Sequence, residues 1–470
     1  MPQANDVRND AVLAKCLALI TKTRDRVRQV DKTDFPTARS EDARQLILAA
    51  LEALVDPKHL AAMDPQVLYN KLIRMQELVD DVESSASRDI SWPLVSYWSD
   101  VWNDFFGDTG PSVFFASIPE HNYKISTYSA RLRLLLTGLL SSGVITNLLG
   151  NRKLYCLHLA SLEHTNLPMY ANIAHEFGHA LHDTCEMEIH ARWANSFSPV
   201  IQSMLLDFVS ADRDAAVRRI LRTAHVLRRF AEECFADLIG ARLAGPAFLL
   251  SLDEIAWGQD RDTWIVKLVP NDQQIRAYPS FNFRLSSIKQ VIDIVEFIRD
   301  TKREFKSLDT DKLKATPDYL SAVEIDDSRD TVSAPVIDQD RDVIKEILSR
   351  HLDAVKDAIK SFIDGCQSFI DTKYGAQPQL DIRDIAALVH RLENDILPNI
   401  VPDNTLLGRP AAFPEILNAA AIFRLHLLMH AGPGSEAVLA EDVSKVERLT
   451  EKALEVSYVQ RRYKANFIEV

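Results

Sequence analysis

Leu167–His182 reads L-P-M-Y-A-N-I-A-H-E-F-G-H-A-L-H and contains His175-Glu176-Phe177-Gly178-His179, a complete H-E-x-x-H. Two histidines four apart on a helix lie one turn apart on the same face, so both imidazoles reach a single tetrahedral zinc. The glutamate between them points beside the open coordination position, where a water would sit. Flanking residues support the helix. Pro168 suits a first turn, Asn166 or Thr165 caps ahead of it, and Ala171, Ile173, Ala174, Phe177, Ala180 and Leu181 put apolar groups on most sides. Such a helix belongs in a core. Gly178 is a poor helix former, which close approach of another backbone or of the metal site explains most simply.

A pattern this short needs a third ligand and a group that orients the histidines. Ala231–Pro246, A-E-E-C-F-A-D-L-I-G-A-R-L-A-G-P, supplies both on a second helix that Gly245-Pro246 ends. Glu233 and Asp237 are one turn apart among Phe230, Cys234, Phe235, Leu238 and Ile239. Carboxylates in such surroundings require a partner, and the metal is the partner inferred here. Glu233 becomes the third protein ligand, and Asp237 accepts the free ring N–H of a ligand histidine. Glu232 is the rival ligand; Glu233 is preferred because only it stands four before Asp237, which leaves Glu232 as a surface or cap carboxylate. His182 reads as a structural histidine, and His158 and His164 as ordinary polar residues sharing no helical face with His175 and His179.

The rest of the chain frames that site. Its 470 residues, 47% hydrophobic and 26% charged, are ordinary globular composition, and a net charge of −13 argues against nucleic-acid or anionic-membrane surfaces. The polar N-terminus lacks an apolar signal segment, and five scattered cysteines without a C-x-x-C pair fit reduced thiols, so the expected location is cytoplasmic. Leu134–Leu149 is free of charge but too short and too rich in Gly, Ser and Thr to span a membrane. Residues 1–110 read as an N-terminal helical region, with an aromatic run from Trp92 to Phe106 taken as core. Residues 111–307 read as the core carrying the motif, 308–342 as an acidic linker and 343–470 as a C-terminal helical region. Residues 123–142 are helical in pattern. Lys153–Ala160, apolar on both faces, is the best strand; we expect it at a sheet edge beside the metal, where a peptide substrate adds as a further strand.

The pairing of His175-Glu176-x-x-His179 with Glu233-x-x-x-Asp237 resembles the gluzincin class of zinc metallopeptidases. The E-x-x-A-D form, followed by P-S-x-x-x-R at Pro279–Arg284, looks similar to the CAAX prenyl proteases, although membrane spans are missing. The similarity covers about Lys153 to Leu285. It implies a mainly α fold with a zincin-like catalytic core and a small β-sheet, and zinc-dependent peptide hydrolysis with Glu176 as general base. It also implies that Arg284 pairs with Asp237. Those relatives usually carry His where this chain has Tyr278, so the donor to the oxyanion would be a tyrosine hydroxyl. A metzincin would place Gly at His182 and a ligand at Cys185, and the E-G-C element of a peptide deformylase is absent. The other reading is a helical scaffold or regulatory protein with a structural or vestigial zinc site; three ligands plus Glu176 favour catalysis over that.

Overall fold

The computed structural model describes residues 4–30, 35, 37–60, 63–86, 90–107, 110–119, 123–150, 153–160, 166–207, 213–257, 259–268, 275–292, 330–333, 341–375, 380–403, 408–432 and 434–467. The described chain is mainly helical with small sheets. It divides into two units, Met1–Thr165 and Asn166–Val470, so the break falls inside the stretch 111–307 that the sequence joins into one core. His164 lies outside the described residues, as do 308–329 and 334–340 of the expected linker.

The first unit begins with α1 (Ala4–Gln29), α2 (Ala38–Val55), α3 (Pro57–Leu60), α4 (Pro65–Ser84) and α5 (Trp92–Phe106). Local chemistry sets α4: Asp64 accepts from the backbone N–H groups of Gln66 and Val67 at 2.8 and 2.9 Å, and Pro65 opens the first turn. Leu68, Leu72, Met75, Val79 and Val82 recur at three- and four-residue spacing and are buried. On α5, Trp98 and Trp102 are core residues; the Trp102 indole donates to the Pro111 carbonyl at 2.7 Å and packs on Phe106 and Tyr155.

β1 (Ser112–Ile118), β2 (Lys124–Thr127), α6 (Tyr128–Leu136), α7 (Ser142–Leu149) and β3 (Leu154–Ala160) complete this unit. Residues 124–127 therefore pair as a strand rather than continue a helix. The charge-free run Leu134–Leu149 is broken between α6 and α7, and no helix among the described residues is long and apolar enough to cross a membrane. The expectation of an edge strand at Lys153–Ala160 is overturned. β3 is the central strand, parallel to β1 on one side and antiparallel to β2 on the other. All seven of its residues are buried, and a strand apolar on both faces belongs between neighbours, where its backbone groups are spoken for.

In the second unit a 3₁₀ turn at Leu167–Asn172 leads into α8 (Ile173–Thr184), so Pro168 opens the turn and the α-helix starts later than the sequence implies. α9 (Glu186–Asp207), α10 (Arg213–Ala244) and α11 (Pro246–Ala256) follow, then β4 (Thr263–Leu268), β5 (Ile275–Tyr278) and α12 (Phe281–Ile292). β6 (Thr331–Ser333), within the expected linker, pairs with β4 and makes a sheet ordered β5-β4-β6. α13 (Arg341–Arg350), α14 (Leu352–Tyr374), α15 (Ile382–Glu393), the short pair β7 (Ile400–Val401) and β8 (Arg409–Pro410), α16 (Phe413–His430) and α17 (Glu436–Phe467) end the chain. These helices are built into the same unit. Buried Asn418 on α16 caps the α10–α11 corner, accepting from the Ala247 N–H at 2.7 Å and donating to the Ala244 carbonyl at 2.9 Å. Arg242 on α10 binds Asp371 and the Gly375 carbonyl at the end of α14.

The crossing of α8 and α10 carries the site and depends on Gly178. A Cβ there would lie 2.4 Å from the Cα of Ala236, so the two backbones meet where no side chain fits. Gly178→Ala is expected to destabilise the chain by about 1–3 kcal/mol, the usual cost of overpacking, read as a lowered urea midpoint. An unchanged midpoint would mean that the two helices do not approach this closely.

Candidate metal centre

Every donor group of the centre stands on α8 or α10. His175 and His179 put their Nε2 atoms 3.1 Å apart. Glu233 Oε2 is 3.5 Å from His175 Nε2, and its Oε1 is 3.8 Å from His179 Nε2. A tetrahedral zinc with bonds near 2.0–2.1 Å holds its N and O donors about 3.3–3.4 Å apart, so the three side chains already stand close to one coordination polyhedron. Glu176 offers a carboxylate oxygen within 4.8 Å of both imidazoles.

The opposite ring nitrogens explain why a cation is wanted between the Nε2 atoms. His175 Nδ1 lies 2.9 Å from Asp237 Oδ1, and His179 Nδ1 lies 3.4 Å from Glu232 Oε1. An ionised carboxylate only accepts, so each Nδ1 carries its hydrogen, and in the neutral rings each Nε2 is a bare lone pair. Two lone pairs facing each other at 3.1 Å repel unless a proton or a metal lies between them. Burial works to lower the His175 pKa, yet the hydrogen bonds that its ring donates to Asp237 and Glu233 overcome it and raise it to about 10. The field that would hold that extra proton is the field that would hold a divalent cation. Four carboxylates (Glu176, Glu232, Glu233, Asp237) against two guanidiniums (Arg229, Arg284) leave an excess of two negative charges around the imidazoles.

Arg284 comes from the first turn of α12, where the Ser280 hydroxyl accepts from the Phe283 N–H at 3.1 Å and caps the helix. Its Nε and Nη2 each donate to Asp237 at 2.7 Å, a bidentate pair with both residues buried. Burial pushes the Asp237 carboxyl up, but Arg284 and then His175 outweigh it and hold the group well below the usual carboxylate range. The motif P-S-x-x-x-R is therefore a cap followed one turn later by the cation that fixes Asp237.

Glu232 is not the surface carboxylate expected of it. It accepts from Arg229 as well as meeting His179; burial works to raise its pKa, but His179 and Arg229 pull it down to about 2. Adjacent helical positions are 100° apart, and α8 lies against both. Phe248 on α11 was also not singled out; its ring stacks over His175 with centroids 6.3 Å apart and planes at 16°. Gly240 makes room for it, since a Cβ there would sit 2.6 Å from the Phe248 ring. The available signal was the spacing Glu233, Asp237, Gly240, which puts all three on one face.

His182 and Cys185 stand apart from the donor cluster. His182 packs edge-on against Phe235 at 5.8 Å, and burial pushes its pKa down to about 4, as for a neutral core histidine. Cys185 lies 3.2 Å from Lys373 Nζ and 3.7 Å from the Tyr374 hydroxyl. All five cysteines are unpaired and buried. Tyr278, partly buried, ends β5 opposite Ile265, six residues before Arg284. Compared with protein-family models, curated proteins and solved structures, the chain matches none.

Glu233→Ala is expected to abolish zinc retention, because two histidines alone remain as ligands. Glu232→Ala should weaken zinc binding by about 10–100-fold, the usual effect of losing the acceptor behind a ligand histidine. Titration against a chromophoric chelator separates the two, and equal affinity in both variants would place the third ligand elsewhere.

Proposed function

We propose that this chain is a zinc-dependent metallopeptidase of gluzincin type, with α8 and α10 as a zincin-like core. The observation that carries the reading is the pair of imidazole Nε2 atoms 3.1 Å apart, closed by Glu233, with a further carboxylate, Glu176, inside the same cluster. A structural zinc has no use for a general base; three ligands with a further carboxylate, Glu176, inside the same cluster favour a catalytic site with one open position. The likeness to CAAX proteases in Glu233-x-x-x-Asp237 and Pro279-Ser280-x-x-x-Arg284 points the same way. With no membrane-crossing helix among the described residues, a peptide or protein substrate in water is the natural one.

His175, His179 and Glu233 would hold the metal, and zinc bound there would supply Lewis acidity to water and to a peptide carbonyl. Glu176 takes a proton from the attacking water and returns it to the leaving amine. Asp237, fixed by Arg284, keeps His175 in the tautomer whose Nε2 faces the metal, and Glu232 does the same for His179. Tyr278 is the hydroxyl assigned to donate to the developing oxyanion. Phe248 covers one face of His175 and lowers the local dielectric, which strengthens each of these interactions.

Glu176→Gln keeps the size and a hydrogen-bonding group but cannot accept the proton. It should retain zinc in metal analysis while cleavage of a peptide library falls by at least ~10²-fold. Wild-type cleavage in this variant would remove Glu176 as the base, and a wild-type protein that binds zinc but cleaves nothing would turn the reading toward a scaffold with a vestigial site.

A further inference from the structure

A second convergence of metal-binding donors lies in the first unit. Cys156 and His158 are two apart on β3, so the pleat turns both to one face, and Asp81 reaches them from the last turn of α4. His158 Nε2 is 2.9 Å from Asp81 Oδ1 and 3.5 Å from Cys156 Sγ, and the three donor atoms lie within 4.8 Å of one another. Asp81, Cys156 and His158 are 7, 0 and 1% exposed, so water cannot serve them freely.

A nucleophile relay does not account for this arrangement. In a Cys-His-Asp relay the thiol and the carboxylate engage opposite ring nitrogens; here both meet Nε2, and Nδ1 has no hydrogen-bond partner among the described residues. Hydrogen bonding gives Nε2 one partner at a time. Carrying a proton, it donates to Asp81 and leaves the thiol beside it unbonded to the ring; bare, it accepts from the thiol and opposes a carboxylate oxygen at 2.9 Å. A cation shared by all three would engage every donor at once.

We propose that Asp81 Oδ1, Cys156 Sγ and His158 Nε2 form a second metal site, suited to zinc, that ties α4 to the central strand of the first unit's sheet. Mixed S, N and O donors in a closed setting are zinc chemistry rather than calcium or magnesium chemistry. Tetrahedral bonds of about 2.3 Å to sulfur and 2.0–2.1 Å to nitrogen set those atoms roughly 3.5–3.6 Å apart, close to the 3.5 Å found, while the 2.9 Å between His158 Nε2 and Asp81 Oδ1 opens to about 3.3 Å when both bind the ion. Asp81 is held ready by its other oxygen, which accepts from Arg131 Nη1 at 2.9 Å, while Arg131 Nη2 pairs with Glu77 at 3.0 Å. Buried within the sheet layer, the metal acts on stability, and the proposal stands whether or not the second unit cleaves peptides.

Cobalt(II) tests it, because a thiolate ligand adds a near-ultraviolet charge-transfer band that a His₂Glu site lacks. The full chain produced with cobalt in place of zinc should show that band and bind a metal equivalent beyond the one held by the second unit. Cys156→Ser should abolish the band and lose one equivalent; Glu233→Ala should lose one equivalent and keep the band. If Cys156→Ser does not fold, the Glu233→Ala protein carries the test alone: retained cobalt with the band supports the site, and a metal-free, band-free protein overturns it. A band that survives in folded Cys156→Ser also overturns it.

Discussion

The candidate centre depends on one buried carboxylate. Asp237, 2% exposed, is gripped by Arg284 through both oxygens and meets His175 Nδ1 through one of them. Three helices, α8, α10 and α12, are registered at that single group. A buried ion pair of this kind is weak evidence for stability, because desolvation offsets much of the attraction, while removing one partner leaves an uncompensated charge costing about 3–5 kcal/mol. Its value lies in geometry: Asp237 cannot leave His175 without stranding Arg284.

That constraint passes outward through packing. The Phe283 ring, beside Arg284 in sequence, tilts against Trp264 at 5.1 Å, and Trp264 packs edge-on against Phe230 of α10 at 4.8 Å. The Trp264 indole donates to Asp330 at 2.8 Å, and Asp330 meets Lys356 of α14 at 3.1 Å. On the other side, Gly178 and Gly240 let α8 and the Phe248 ring come against α10. A helix that must carry ligands on one face and be covered on the others leaves few positions where ordinary side chains fit.

Much of the site was legible because a helix has a fixed period. His175 with His179, and Glu233 with Asp237, are pairs at i,i+4, and that spacing alone put each pair on one face; the tertiary approach of the two faces came from the chemical need of the carboxylates for partners. Arg284 was reached through family likeness, and the cap at Ser280 shows why the motif has its length. What periodicity cannot supply is which neighbour covers a face, so the second contact of Glu232 and the stacking of Phe248 went unread. The edge placement of Lys153–Ala160 went wrong for a different reason. Its two apolar faces already argued for a central strand, and nearness in sequence to the motif was given more weight than that pattern.

The C-terminal helices show the limit of reading domains from composition. Residues 343–470 carry no motif of their own, and a polar, acidic stretch precedes them, which reads as a separate region. Yet Asn418 caps the corner where α10 becomes α11, Asp371 receives Arg242 near the end of α10, and Lys356 meets the carboxylate that holds Trp264. Each of these ties ends on an element that carries or borders a donor side chain. Ligand side chains hold their geometry only as well as the elements beneath them, and a shift of an ångström at a reacting centre is enough to lose most of the rate. A helix without catalytic residues can therefore be as necessary to such a centre as the helix that bears the histidines.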